Sequence, residues 1–204
     1  MLALQPLRKI GHEIIVVDGG SSDNTYLIAE PLANKVLLSE PGRANQMNLG
    51  AESAQHEVLL FLHVDTFLPT NATSLISKNL TKKHKWGRFN VRLSGTNRQL
   101  RIVERLMNLR SCWTGISTGD QAIFVRQDLY QQIKGFPNIP LMEDIAFSKR
   151  LKKYSSPICI KEPVITSSRR WEQNGVFRTI LLMWKLRLAY ALGVDPHKLK
   201  NYYN

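Results

Sequence analysis

The chain has 204 residues, of which 43% are hydrophobic and 22% are charged, a balance typical of one globular domain with enough apolar material for a core. Its formal net charge of +12 favours anionic partners such as nucleic acid, acidic lipid headgroups or phosphorylated small molecules, without choosing among them. Cys112 and Cys159 belong to no C-x-x-C pair, so we expect two buried free thiols rather than a disulfide framework or a zinc site. With no secretory leader and no apolar run of about 18 residues in view, we expect a cytoplasmic protein.

The first third of the chain alternates strand-like and helix-like segments. A β-branched run at residues 13–18 ends at a glycine pair and predicts a strand covered on both faces. This alternation indicates βαβ units and a mostly parallel sheet. The further segments predicted here are a helix at 26–33, a strand at 35–38, a helix at 43–54 and a strand at 57–62.

The remainder is less regular but still mixes both element types. The helix expected at 98–110 carries a basic face, and residues 176–192 form an apolar helical pattern interrupted by arginine and lysine. The other segments predicted here are strands at 87–93 and 120–126 and a helix at 143–153.

Two acids, Asp18 and Asp65, each follow a predicted parallel strand. In open α/β sheets ligands bind at the carboxyl ends of the strands. The pair therefore predicts a binding site at that edge, although either acid alone is equally typical of a helix cap.

Five ordered stretches resemble motifs of the family-2 glycosyltransferases, which have the GT-A fold. The resemblance runs from about residue 13 to the C-terminus and implies a Rossmann-like, mixed, mainly parallel sheet flanked by helices, with a C-terminal helical tail. The stretches are VVDGGSSDNT at 16–25, GRANQMNLGA at 42–51, FLHVD at 61–65, LMED at 141–144 and SSRRW at 167–171, and a GDQ segment at 119–121 precedes the fourth.

The first two stretches imply contacts to a nucleotide-sugar donor. By resemblance, Asp18 contacts the base or ribose, and Gly19 lets the ligand approach the backbone. Arg43, at a predicted helix start, is assigned to a donor phosphate, and Asn48 lies in the same donor-binding helix. The alternatives are a plain βα turn and a solvated surface arginine.

The FLHVD stretch occupies the place of a D-x-D motif, which holds a divalent ion against the donor diphosphate. Oxygen ligands suit Mg²⁺ or Mn²⁺, so the resemblance makes Asp65 a metal ligand. His63 replaces the first aspartate and tolerates Mn²⁺ better than Mg²⁺. It could instead hydrogen-bond the nucleotide or serve as a structural polar group.

The LMED stretch implies the catalytic base of an inverting transfer, in which a carboxylate takes the proton of the attacking hydroxyl. We assign Asp144 to this role and Glu143 to orienting it. Asp120 is the second candidate for the base, or a contact to sugar hydroxyls. The alternatives are an acid favoured by a helix N-terminus and a turn acid.

The SSRRW stretch resembles a Q-x-x-R-W motif, with Ser167 in place of glutamine. The resemblance implies that Arg170 clamps the diphosphate and that Trp171 stacks on a sugar.

The sequence departs from the family at its start. Members begin with an apolar strand, central in the sheet, that is not seen here, and residues 1–9 predict the helix that follows that strand. A missing strand would leave backbone groups unpaired. We therefore divide the chain into a transferase domain at 1–171 without its first strand and an amphipathic helical tail at 172–204.

The function expected from the resemblance is metal-assisted, inverting transfer of a sugar from a UDP- or GDP-sugar to an acceptor hydroxyl. The acceptor is left open, and a lipid-linked molecule is one candidate. The tail predicts either peripheral contact with the inner face of the plasma membrane or a helix packed on the domain, for example at a homodimer interface. The rival functions are nucleotidyl transfer and a non-catalytic, basic accessory protein at a membrane or on RNA. Nucleic-acid binding is not expected, because the nearest candidate for basic residues interleaved with aromatics, the KKHKW run at 82–86, is more typical of a solvated loop.

Overall fold

The computed structural model of the protein describes residues 2–203, which form a mixed α/β fold. The strands are β1 (Ile15–Asp18), β2 (Lys35–Leu38), β3 (Val58–Leu60), β4 (Trp86–Leu93), β5 (Phe124–Arg126) and β6 (Ile158–Thr166). The helices are α1 (Gln5–Lys9), α2 (Thr25–Ala29), α3 (Arg43–Ser53), α4 (Ala72–Asn79), α5 (Arg98–Thr114), α6 (Gln127–Gln132), α7 (Glu143–Leu151), α8 (Arg169–Asn174), α9 (Val176–Ala191) and α10 (Pro196–Tyr203).

The strands form two sheets. β1 and β2 pair in parallel, and the larger sheet has the order β3-β5-β4-β6. In the larger sheet β6 runs parallel to β4 along most of its length, whereas the short β5 is antiparallel to both β3 and β4. The predicted fold class, a mixed sheet with mainly parallel pairing and flanking helices, is confirmed.

A deep cleft separates the two sheets. Among residues 2–203, β1 pairs only with β2 and β3 only with β5, so each has one edge without a partner strand. Both edges line the same cavity of about 690 Å³, which Leu4 and Leu7 of the N-terminal segment also line. Unpaired backbone groups of β1 and β3 and apolar side chains therefore both line this cavity.

The larger sheet is covered on both faces, as expected from its nearly continuous apolar strands. Trp86 and Val125 point to one face and pack against Phe147 of α7. Phe89 and Phe124 point to the other face and pack against Ile76 of α4. The alternation of side chains along each strand thus builds two cores on one sheet.

The C-terminal helices complete two smaller cores. Leu186 of α9 and Leu199 of α10 pack on Leu141 and Ile145 beside α7. Val176, at the start of α9, packs with Leu100 of α5. The tail is therefore held on the domain by buried apolar contacts.

Several elements differ from the sequence prediction. The predicted strand at 120–126 is a 3₁₀ turn at Gly119–Gln121 followed by the short β5, because Thr118 and Gln121 cap each other and fold the chain there. β6, α4 and α6 were not predicted. β6 was missed because Lys161-Glu162-Pro163 interrupts its apolar alternation. A register irregularity opposite Phe89 and Asn90 accommodates these residues.

The expectation of two buried free thiols is wrong. Cys112 and Cys159 form a disulfide, with Cα atoms 5.9 Å apart, that links α5 to β6. Cys112 is exposed and Cys159 is half-buried. The residues are 47 positions apart, and only the packing of α5 against the sheet brings them together.

We predict that Gly87→Ala lowers the free energy of unfolding by about 1–3 kcal/mol, the usual cost of overpacking a core. A Cβ at this position would lie 2.5 Å from the carbonyl oxygen of Ile158 and 2.6 Å from Phe124 Cζ. Urea unfolding measures the change. Gly50→Ala is the control, because it lies in α3 and would contact only Val17 Cγ2 at 3.2 Å. A Gly87→Ala protein as stable as wild type would contradict the close packing of β4 on β6.

Candidate active site

The N-terminus of α7 presents two adjacent acids, Glu143 and Asp144, to the centre of the molecule. Glu143 is only 4% exposed. Asp144 accepts hydrogen bonds from the backbone N–H of Gly119 at 3.0 Å and of Ile145 at 2.7 Å. Burial, together with the neighbouring charge of Glu143, raises the pKa of Asp144 to about 7, although the two hydrogen bonds oppose the shift. Near neutral pH this carboxyl can therefore both take and return a proton.

The segment at Gly119 and Asp120 lies directly against these acids. Gln121, the last residue of this 3₁₀ turn, is fully buried and donates to Ser111 Oγ at 2.9 Å, which fixes the turn to α5. Oδ1 of Asp120 is buried and has no hydrogen-bond partner among the described residues. The structure thus brings Asp120, Glu143 and Asp144 together, as the site prediction requires.

His63, from the loop after β3, packs on Gly119. A Cβ at position 119 would lie 2.6 Å from His63 Nε2, so no larger residue fits there without a shift. Burial, and then the charge of Arg43, lower the pKa of His63 despite the opposing charges of Asp120, Asp65 and Glu143. The imidazole is therefore neutral near pH 7, which is the form that ligates metals or accepts a hydrogen bond.

Arg43 begins α3 and reaches toward Glu143, with Nη1 3.8 Å from Oε1. Burial lowers the pKa of Arg43, but interactions with Tyr203, Glu143 and Asp144 outweigh it and raise the pKa overall. The guanidinium is more than half exposed. It thus supplies a fixed positive charge at the mouth of the site.

Asp65 follows His63 by two residues and is exposed to solvent. Arg43, His63, Asp65 and Gly119 all line the cavity between the two sheets. In the described part of the chain, no three His, Cys, Asp or Glu side chains cluster closely enough to hold a metal by themselves. His63 and Asp65 fit an ion that takes its other ligands from a diphosphate and water, which is the usual arrangement for such ions at phosphates.

Asp18 ends β1 and is 6% exposed. Its carboxylate accepts from the backbone N–H of Ser21 at 3.2 Å and from the Ser21 hydroxyl. This is the turn-capping arrangement that the sequence left open as an alternative. Gly19 lies under the side chain of Gln46, where a Cβ would approach the Gln46 amide at 3.0 Å.

Asn48, expected in the donor site, has a different role. It donates to the carbonyl of Phe136 at 2.9 Å, and its Oδ1 accepts from Phe136 N–H at 2.9 Å and Tyr130 O–H at 2.6 Å. These bonds use the amide to fix the loop before α7. Asn48 therefore positions that loop.

In the RRW stretch, Arg170 and Trp171 contact different parts of the molecule. Arg170 donates from Nη2 to the carbonyl of Tyr203 at 2.8 Å, and its guanidinium carbon lies 3.7 Å from the Tyr203 ring centre. Trp171 packs with Leu93 and Leu100 in the core below α5. Part of the indole therefore covers an apolar core, and the stacking of Trp171 on a sugar stays a prediction.

Sequence reasoning missed Arg110, near the end of α5. Its Nε and Nη2 are buried and have no hydrogen-bond partner among the described residues. Burial lowers the pKa of Arg110, whereas the charges of Asp120 and Asp144 raise it, which places the guanidinium beside both acids. The sequence of α5 predicts a long helix with a basic face, and this pattern does not indicate that the side chain of Arg110 is directed inward.

No helix within Leu2–Tyr203 combines the length and the apolar character needed to cross a membrane.

Several solved structures share this fold. Staphylococcus aureus TarS 1-349 aligns with a TM-score of 0.61 and 19% identity, covering 82% of this chain and 54% of that one. The mannosyltransferase PcManGT from Pyrobaculum calidifontis, solved with GDP-Man and Mn²⁺, aligns at 0.53 and 17%, covering 76% and 47%. Glucosyl-3-phosphoglycerate synthase from Mycobacterium tuberculosis, solved with phosphoglyceric acid, aligns at 0.55 and 16%, covering 81% and 63%.

The chain thus spans about half to two thirds of the length of these structures, and identities this low indicate the fold alone. No curated protein matches the sequence. The family model described as "Glycosyl transferase family 2" matches residues 3–128, which is more than half of the chain and includes β1, α3 and the loop after β3. The chain belongs to glycosyl transferase family 2.

Proposed function

We propose that the protein is an inverting glycosyltransferase that moves a sugar from a nucleotide-sugar donor to an acceptor hydroxyl. The observation that carries this proposal is Asp144. It is a half-buried carboxyl with a pKa raised to about 7, fixed by a backbone hydrogen bond from Gly119, beside a cavity lined by Arg43, His63 and Asp65.

In this reaction Asp144 takes the proton of the acceptor hydroxyl while that oxygen forms a bond to the anomeric carbon. The bond from the anomeric carbon to the donor diphosphate breaks in the same step, and its electron pair leaves with the diphosphate. Because the displacement is in line, the configuration at this carbon inverts. Glu143 is ion-paired with Arg43. Its neighbouring charge raises the pKa of Asp144, so that this carboxyl can retain the proton that it takes from the acceptor.

The negative leaving group requires positive charge at the cavity. Arg43 supplies one such charge, and the bidentate geometry of its guanidinium suits a phosphate. Mn²⁺ or Mg²⁺ held by Asp65 and His63 would neutralise the diphosphate when bound. The Mn²⁺ and GDP-Man bound to the archaeal mannosyltransferase support this assignment.

The acceptor side is assigned to Asp120 and Arg110. Both carry buried polar atoms without hydrogen-bond partners among the described residues. Buried polar groups of this kind are costly unless a ligand or water satisfies them, so an acceptor hydroxyl or anionic group beside Asp144 would complete their hydrogen bonding.

The cleft between β1 and β3 bears on donor affinity. We propose that it is the place of the central first strand that the family resemblance implies, because a strand there would pair with both free edges. Donor binding should then be measured also on a protein carrying an added N-terminal apolar strand. If the donor binds more tightly only when that strand is added, the lower affinity without it is due to the open cleft rather than to the site residues.

Metal-dependent nucleotide binding tests the donor site. We expect UDP or GDP to bind measurably by calorimetry with Mn²⁺, and Asp65→Ala to weaken this binding roughly tenfold or more, since one of few protein ligands is lost. Glu57→Ala is the control, because it removes an exposed acid before the opposite end of β3. Binding unchanged in Asp65→Ala would contradict the metal assignment.

Substitution of the base tests the chemistry. We expect Asp144→Asn to lower kcat by roughly 100-fold or more while nucleotide binding is retained, the usual contribution of general base catalysis. Wild-type kcat/KM should rise as pH rises through about 7, because only the ionised carboxylate accepts the proton. If Asp120→Asn causes the larger loss, then Asp120 is the base.

The raised pKa of Asp144 also predicts a pH-dependent stability. Its folded pKa of about 7 lies above the ordinary value of 3.8, so the protonated form stabilises the fold and this contribution is lost as pH rises through 7. Asp144→Asn cannot ionise and should therefore gain in Tm relative to wild type between pH 5 and pH 8. A constant difference in Tm across this range would contradict the burial of the carboxyl.

A further inference from the structure

The outer face of α9 exposes a continuous apolar stripe. Its five residues recur at intervals of three or four, so they share one side of the helix. Each is 63–76% exposed, whereas a soluble monomer rarely exposes a contiguous apolar patch of this size. They are Phe177, Leu181, Trp184, Leu188 and Leu192.

The opposite face of α9 fixes the helix to the domain. Val176, Thr179 and Leu186 are buried there, and Val176 and Leu186 pack into the cores beside α5 and α7. The stripe therefore cannot turn inward without unpacking these cores, and it stays directed outward.

Basic residues border the stripe on both sides. Arg178 and Lys185 are exposed along one border, and the half-buried Arg187 lies along the other. Val176–Ala191 contains no aspartate or glutamate. An apolar face bordered only by positive charge is typical of helices that lie in the interface of an anionic bilayer.

α5 repeats this pattern. Its apolar stripe lies opposite its buried residues, again at intervals of three or four, and Arg98 and Arg105 flank it. Its single acid, Glu104, is 8% exposed and ion-paired with Arg101 at 3.0 Å. The stripe consists of Ile102, Leu106, Leu109 and Trp113, which are 55–87% exposed.

The two helices are neighbours on the molecule. Leu100 and Val103 of α5 share one core cluster with Val176 of α9, and Met107 and Ile180 pack against it. The start of α9 therefore adjoins α5, and each helix leaves an apolar outer face beside basic side chains.

We propose that the outer faces of α5 and α9 together bind the surface of an anionic lipid bilayer. A second copy of this chain fits less well, because a two-fold contact through either stripe would bring the basic borders together with no exposed acid on α5 or α9 to pair with them. The net charge of +12 acts in the same direction. α9 has 16 residues, so it lies along the surface and does not cross it. This inference is independent of the transfer reaction.

Vesicle co-sedimentation tests the proposal. We expect wild type to bind vesicles of phosphatidylcholine with about a quarter phosphatidylglycerol, to bind pure phosphatidylcholine much less, and to lose binding in high salt. On binding, tryptophan emission should shift to the blue, because Trp113 and Trp184 are exposed whereas Trp86 is buried.

Leu181→Glu and Leu106→Glu should each weaken vesicle binding roughly tenfold or more, and the double variant further, since each places a charge in an apolar face. Leu27→Glu is the matched control, because Leu27 of α2 is equally exposed, at 64%, but lies outside both stripes. Circular dichroism melting verifies that all four variants fold.

Three outcomes would overturn the proposal. The first is a failure of wild type to bind anionic vesicles at low salt, and the second is binding by the stripe variants that equals binding by Leu27→Glu. A lipid-free dimer, seen by light scattering and abolished by Leu181→Glu, would assign the face to a second copy instead.

Discussion

The hydrogen bond from Gly119 N–H to Asp144 Oδ2 is the contact on which the candidate site depends. It fixes the N-terminus of α7 against the 3₁₀ turn that follows α5, and it holds one oxygen of the proposed base. The ring of His63 also packs against Gly119. The loop after β3 and the N-terminus of α7, which are distant in sequence, therefore meet at a residue that has no side chain. A methyl group at this position would separate the loop of His63 and Asp65 from the proposed base.

Electrostatics at this junction follow from burial. Three carboxyls and two arginines lie within one small region, and the protein pairs them only partly. Glu143 has Arg43 as a partner, whereas Asp120 and Arg110 keep buried atoms without hydrogen bonds among the described residues. Incomplete pairing of this kind is uncommon in a purely structural network and is typical of a site that a ligand completes.

Much of the fold was predictable because its strands and helices follow local rules. β1, β2, β3, α3 and α9 lie where apolar periodicity places them, and Asp120, Glu143, Asp144, His63 and Arg43 meet in space as the motif order implies. What could not be predicted depends on tertiary contacts. Asn48 and Trp171 resemble ligand contacts in sequence, and no local pattern indicates that Asn48 bonds Phe136 or that Trp171 packs against the cluster of Leu93. Arg110 and the Cys112–Cys159 disulfide were missed for the same reason, since periodicity does not reveal which residue of α5 faces the sheet.

The contacts that hold the site together also determine when it can form. Asn48 joins Phe136 across 88 residues, and Arg170 rests on Tyr203 in the last described helix. Contacts between distant residues form only after long loops have closed, whereas single helices form early from local contacts. The amphipathic faces of α5 and α9 therefore depend on local contacts, whereas the meeting of Arg43, Glu143 and Asp144 depends on the closure of long loops.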